Sequence, residues 1–142
     1  MSQKEQKEFE EKVVELNLLN ARMQELEQQM QIIEKQISEL HTVYTALKEL
    51  EETNTETEML SSIGQNVFVK AKLQDNQEVC MDVGAKVFVK KTVQEAKDII
   101  TKKTDEFIDI RENATKQLQF IAEQMLTLEN NLRKEQARLS RE

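Results

Sequence analysis

Side chains able to do covalent chemistry are few in this chain, and those present lack companions. There is one histidine, His41, and one cysteine, Cys80. A structural zinc site takes several such ligands together, and a cysteine nucleophile needs a neighbouring base. His41 has no partner at metal-ligand spacing and reads as an exposed helical residue. Cys80 lies in a strand-like stretch and cannot form an internal disulfide, which fits a reducing compartment. The carboxylates alternate with lysines and arginines along helical faces and read as solvated surface. No glycine-rich phosphate loop is present. These residues predict no enzyme, no metal and no cofactor. The chemistry left is that of contact, made by apolar residues that longer elements must position.

Two such elements are written in the spacing. In the first, Leu16, Leu19, Met23, Leu26, Met30, Ile33, Ile37, Leu40, Tyr44 and Leu47 follow alternating steps of three and four. That is a coiled-coil seam sustained over more than four heptads. It extends backward through Lys12 to Phe9, and Ser2 with Glu5 forms a capping box at its start. Thr53-Asn54-Thr55 is the expected end, because Asn tolerates the left-handed conformation. The second seam opens with the capping box Thr92-Val93-Gln94-Glu95. It runs through Val93, Ala96, Ile100, Lys103, Phe107, Ile110 and Ala114, takes one extra step of four to Leu118, and continues through Ile121, Met125, Leu128, Leu132, Glu135 and Leu139. The irregular step reads as a stutter. Arms of equal length flanking one short insert are expected to pair with each other, antiparallel, with Leu47 near Ile100 and Leu16 near Leu132. At the free end Glu5, Glu8, Glu10 and Glu11 would then meet Arg133, Lys134, Arg138 and Arg141. The alternative is two helices bound to other chains.

The insert between the arms repeats itself at an offset of 20 residues. Residues 58–70 align without gaps on residues 78–90, and both contain Val-Phe-Val-Lys. The only two glycines, Gly64 and Gly84, fall at the same place in each copy. A strand, a glycine turn and a second strand predict a β-hairpin. Two copies joined by Gln74-Asp75-Asn76-Gln77 predict a double β-hairpin of four strands. Val67, Val69, Ala71 and Leu73 share one face by alternation, as do Val79, Met81 and Val83. A lone four-stranded sheet has two open edges and a small core, so it should recruit strands from other chains. The insert is therefore expected to be an assembly module and the protein an obligate oligomer.

Composition agrees with this α+β reading. A third of the 142 residues are charged and 4% are aromatic, which suits exposed helices with narrow apolar seams. Nothing approaches the ~20 apolar residues that cross a bilayer, and no leader opens the chain. No membrane is expected as a partner, and the simplest location is cytoplasmic. The net charge of −7 argues against nucleic acid. Charge is uneven, however. Residues 61–91 carry more bases than acids, while residues 1–60 are strongly acidic.

Long coiled-coil helices flanking two short hairpins resemble the prefoldin family, and specifically its alpha class, since the beta class carries one hairpin. The run from Met81 through Val83-Gly84-Ala85-Lys86-Val87-Phe88-Val89-Lys90-Lys91-Thr92 to Ala96 looks like the family's second hairpin entering its second helix. Ile63-Gly64 and Val69-Lys70-Ala71-Lys72-Leu73 look like the first. The resemblance covers the chain as a single domain over 1–142, with helices over 1–54 and 92–142 and the double hairpin over 57–91. Three positions depart from the family pattern. Ser62 replaces a common proline, and Asn66 and Lys86 replace the second glycine of each turn. Lysine adopts positive φ poorly.

The resemblance implies an ATP-independent co-chaperone subunit, in a hexamer of two alpha-class and four beta-class chains. It implies a β-barrel platform built by Val67, Val69, Ala71, Leu73, Val79, Met81, Val83, Val87 and Val89. It further implies that unfolded client proteins are held at the coiled-coil tips and passed to a group II chaperonin. Candidate client contacts near the tip are Val14 and Leu18, which lie off the seam and four apart, and Phe9, Val13, Leu132 and Leu139. The latter four lie on or beside the seam, where packing is the alternative role unless the tip splays. A second expectation is a prefoldin-like structural subunit that self-assembles through its strands into a filament or scaffold.

Overall fold

The computed structural model describes residues 2–141, so Met1 and Glu142, the outermost residues of the expected arms, lie outside the described residues. Helix α1 spans Gln3–Glu52 and helix α2 spans Val93–Ser140. Between them come β1 (Glu58–Gly64), β2 (Val67–Lys72), β3 (Glu78–Asp82) and β4 (Phe88–Thr92). Each helix opens as its capping box predicts. The Ser2 hydroxyl accepts from the Glu5 N–H at 3.2 Å, and the Thr92 hydroxyl accepts from the Glu95 N–H at 3.1 Å. Each bond satisfies one of the donors that a helix start leaves unpaired.

Two compact units make up the chain: residues up to Lys35 with those from Ile108, and residues Gln36–Phe107. In the first, the terminal unit, Leu26, Ile33, Ala114 and Ile121 are buried. Among the described residues its cross-helix ion pairs are Glu5 with Arg138 (3.3 Å), Lys12 with Glu135, and Glu34 with Arg111 (3.3 Å). As one partner's number rises the other's falls, so α1 and α2 run antiparallel within this chain. Of the charges expected at the free end, Glu5 and Arg138 meet.

In the second, the central unit, Val93, Ala96 and Ile100 are buried. Lys97 pairs with Glu51 at 3.2 Å, and its Nζ lies 5.8 Å from the centre of the Tyr44 ring. These contacts hold the adjoining ends of the two helices antiparallel.

The seam of α1 lies where its spacing places it, with every position from Phe9 to Leu47 buried or half-buried. The seam of α2 departs from expectation. Lys103 is exposed and Ile110 is 49% exposed, while Thr104 and Arg111 are half-buried. The extra step of four therefore falls at Ile100–Thr104, two heptads before the expected site at Ala114–Leu118. Apolar Ile110 fits the expected spacing better than its charged neighbour. Yet Arg111 packs its aliphatic stem and sends its guanidinium to Glu34. The Thr104 hydroxyl donates to the Ile100 carbonyl at 2.8 Å, so its burial leaves no unmet polar group.

The end of α1 also differs in detail. The left-handed residue after the helix is Glu56 (φ 68°), and Asn54 does not adopt positive φ. Instead the Asn54 carbonyl accepts from the Thr57 hydroxyl at 2.6 Å.

The repeat in sequence is a repeat in structure. β1 pairs antiparallel with β2, and β3 with β4. Each hairpin turns through two residues of positive φ, Gln65 (48°) with Asn66 (62°) and Ala85 (51°) with Lys86 (60°). These are type I′ turns, whose twist suits a two-residue hairpin. Before each turn a glycine takes a φ near 110–117° that L side chains rarely adopt. The Gly64 N–H donates to the Ser62 hydroxyl (3.3 Å) and the Gly84 N–H to the Asp82 carboxylate (2.9 Å), the same bond in both copies.

The four strands form two separate two-stranded sheets and not one continuous sheet. The link at 74–77 makes no hairpin turn, because its polar groups are engaged elsewhere. Asn76 donates to the Thr53 carbonyl at 2.9 Å, and the Gln77 carbonyl accepts from the Val93 N–H at 2.9 Å. Both bonds tie the link to the helix ends. Among the described residues, no helix is long and apolar enough to cross a membrane.

Candidate functional site

Among the described residues, the hairpins carry most of the exposed large apolar side chains. Along β1 every residue is exposed, including Met59, Leu60 and Ile63. Cross-strand partners share a face, so Met59, Ser61, Val69 and Ala71 line one side of the first hairpin and Leu60, Ser62, Phe68 and Lys70 the other. In the second, Val79, Met81, Val89 and Lys91 share one face, and Cys80, Asp82, Phe88 and Lys90 the other. The expected assembly residues thus fall on one face of each hairpin. Val67, Val69, Val83 and Val87 are exposed, while Ala71, Leu73, Val79, Met81 and Val89 are half-buried.

A shallow recess of about 200 Å³ lies between the end of α1 and the first hairpin, lined by Ala46, Leu50, Met59 and Leu73 among others. Leu73 is therefore partly engaged within its own chain.

Alternation in the sequence marks the valine face and leaves the opposite face unmarked. Leu60 (65% exposed), Phe68 (54%) and Phe88 (67%) all lie on the unmarked side. The signal was in plain view, since Phe68 and Phe88 are the aromatic residues of the duplicated tetrapeptide. A half-buried strand has one apolar face by its period of two, so an apolar residue on the other face stands outside that pattern.

In the terminal unit the candidate client contacts separate into two groups. Phe9 and Leu139 line one small recess with Glu5, Glu8, Glu135 and Arg138. Phe9, Val13, Leu132 and Leu139 are half-buried. Val14 (56% exposed) and Leu18 (65%) stand one turn apart on the outer side of α1. Phe120 and Leu126, also exposed, were not foreseen because each is an isolated apolar residue off the seam.

Little else invites chemistry. His41 and Cys80 are exposed. Among the described residues, no three His, Cys, Asp or Glu side chains gather at metal-binding distance.

The architecture is shared with a solved structure, the cryo-EM structure of filamentous PFD from Methanocaldococcus jannaschii. It superposes with a TM-score of 0.71 at 17% identity, over 80% of this chain and 93% of that one. At that identity the likeness is one of fold. No curated protein matches this sequence. The family described as prefoldin subunit matches residues 19–138, which takes in most of both helices and the whole of both hairpins. With two long antiparallel helices joined through two small hairpins and a family match over that span, the chain belongs to the prefoldin family.

Proposed function

We propose that this chain is an alpha-class prefoldin subunit, an ATP-independent co-chaperone that holds unfolded proteins and delivers them to a group II chaperonin in the cytoplasm. The observation that carries this reading is the second hairpin. The resemblance assigns two hairpins to the alpha class and one to the beta class, and this chain has two.

In this reading the hairpins build a platform with beta-class chains, two alpha to four beta. Val67, Val69, Ala71, Leu73, Val79, Met81, Val83, Val87 and Val89 are its contacts. An exposed apolar surface of this extent on a single chain supports such a role. The client contacts are Phe9, Val13, Val14, Leu18, Leu132 and Leu139. Each alone is weak, at roughly 25 cal/mol per Å² of apolar area. Several tips acting on one client multiply them.

The test is light scattering of a denatured client diluted into the assembled hexamer. Removing residues 1–18 and 132–142 should leave the assembly intact by mass yet weaken suppression of aggregation. Val14→Ser with Leu18→Ser should weaken it less. Full suppression by the truncated assembly would remove the tips of this chain from client binding.

A second reading is supported by the likeness to a filamentous assembly. The hairpins would then join copies of this chain into a filament or scaffold. Sedimentation of the chain purified alone separates the two. A large homopolymer favours the filament. A small species that completes a hexamer only with a beta-class chain favours the co-chaperone.

A further inference from the structure

The duplicated tetrapeptide places the same side chains at the same points of two sheets. Phe68 and Lys70 in β2, and Phe88 and Lys90 in β4, lie on equivalent faces. Each sheet has only two strands, so β2 and β4 each have one edge paired and one edge open. An open edge presents unpaired backbone donors and acceptors to any extended chain. Among the described residues, neither Lys70 nor Lys90 makes a salt bridge within 4.0 Å.

What suits such an edge is visible in the molecule. The strand already paired with Phe88 and Lys90 is β3, Glu78-Val79-Cys80-Met81-Asp82. Its acidic residues Glu78 and Asp82 point to the Phe88–Lys90 face, and its apolar Val79 and Met81 to the valine face. The first hairpin keeps half of this complement. Glu58, in the place of Glu78, stands on the Phe68–Lys70 face opposite Lys72, while Ser62 holds the place of Asp82 opposite Phe68 and Leu60 stands opposite Lys70.

We infer that the open edges of β2 and β4 take a strand of alternating acidic and apolar residues from a partner subunit. Its carboxylates lie beside Lys70 and Lys90, and its apolar side chains lie against Val67, Val69, Val87 and Val89. This rests on the hairpins being assembly sites and adds which strand they accept. A polyanion that approaches at long range meets the net charge of −7, whereas a short strand meets only the locally basic stretch 61–91. Nucleic acid is the less favoured occupant for that reason.

The experiment uses the full-length chain and a fluorescein-labelled peptide of residues 77–83 carrying Cys80→Ser, read by anisotropy. A second peptide also carries Glu78→Lys and Asp82→Lys. The acidic peptide should bind about tenfold more tightly than the reversed one, from opposite-charge pairs replacing like-charge pairs across strands. Lys70→Glu with Lys90→Glu in the chain should abolish or invert that preference, and the paired glutamine variant should flatten it. Equal binding of both peptides overturns the inference. So does binding of an oligouridylate ten-mer in the absence of peptide binding. If the charge-reversed chain still assembles with its partner subunits, this inference falls and the assembly reading stands. If Val69→Asp with Val89→Asp also assembles, the assembly reading itself falls.

Discussion

Lys86 holds a backbone conformation that its side chain disfavours. Its φ of 60° places a Cβ-bearing residue in the left-handed region, at a cost of roughly 1–2 kcal/mol. The first hairpin meets the same demand with Asn66, a residue that bears it better. Type I′ turns favour Asn followed by Gly, so Ala85→Asn with Lys86→Gly should stabilise the chain by about 1 kcal/mol. A thermal melt of the purified protein reads this as a rise in midpoint, and an unchanged midpoint would mean the strain is relieved elsewhere. Gly64 gives the opposite case. A Cβ added there meets nothing within 4 Å, so Gly64→Ala pays only for its φ of 110°. A loss of about 1–2 kcal/mol is expected. The aligned glycines made both turns legible in the sequence. Of the positive-φ residues after each glycine, Asn66 and Lys86 were marked by the resemblance as standing in glycine positions, whereas Gln65 and Ala85 carry no turn signature.

At the scale of elements, the seam near the chain ends is interrupted by a charged pair. Lys12 and Glu135 occupy seam positions, are 32% and 28% exposed at their side chains, and bond to each other. Half-buried pairs of this kind hold their partners at the expense of desolvation, and apolar residues of like size often do as well or better. Lys12→Leu with Glu135→Leu should therefore raise the stability of the paired helices by about 1–3 kcal/mol. Lys12→Leu alone should gain less or lose, since it strands the Glu135 carboxylate. Helical melts of the two singles and the double measure the coupling, and strictly additive effects would show that the pair does not interact. The register of α2 is open to a similar test. Ile121 is 7% exposed and Ile110 is 49% exposed. Ile121→Ala should cost about 2 kcal/mol or more, and Ile110→Ser within about 0.5. A larger loss at Ile110 would restore the seam expected from spacing. That spacing read α1 without error because every seam position there is apolar or an obvious extension. It misread α2 where Thr104 and Arg111 sit on the seam, since an arginine stem and a self-satisfied threonine look polar in sequence and pack as apolar.

Across the whole molecule, what stabilises the helices differs from what the hairpins offer. The helices are held by their own buried residues and by ion pairs between them. The hairpins bury little within the chain: Val69 is 44% exposed, and no residue of β1 is buried. The helical fold could thus be read from periodicity. The separation into two sheets could not, because it depends on Asn76 and Gln77 bonding to the helix ends and not across a turn. The same difference separates folding from assembly in a mutant. An aspartate at exposed Val69 meets solvent in the isolated chain, and one at half-buried Val89 still reaches it, so neither costs much there. On a face covered by a partner strand, each would be a buried charge without a counter-ion, a penalty of several kcal/mol. Val69→Asp with Val89→Asp should leave the helical circular dichroism of the chain nearly unchanged while abolishing its assembly in sedimentation velocity with partner subunits. Loss of helicity together with assembly would show that the hairpins support the fold of the chain itself. Normal assembly of a helical variant would show that the valine face is not the platform, and the assembly reading would fall.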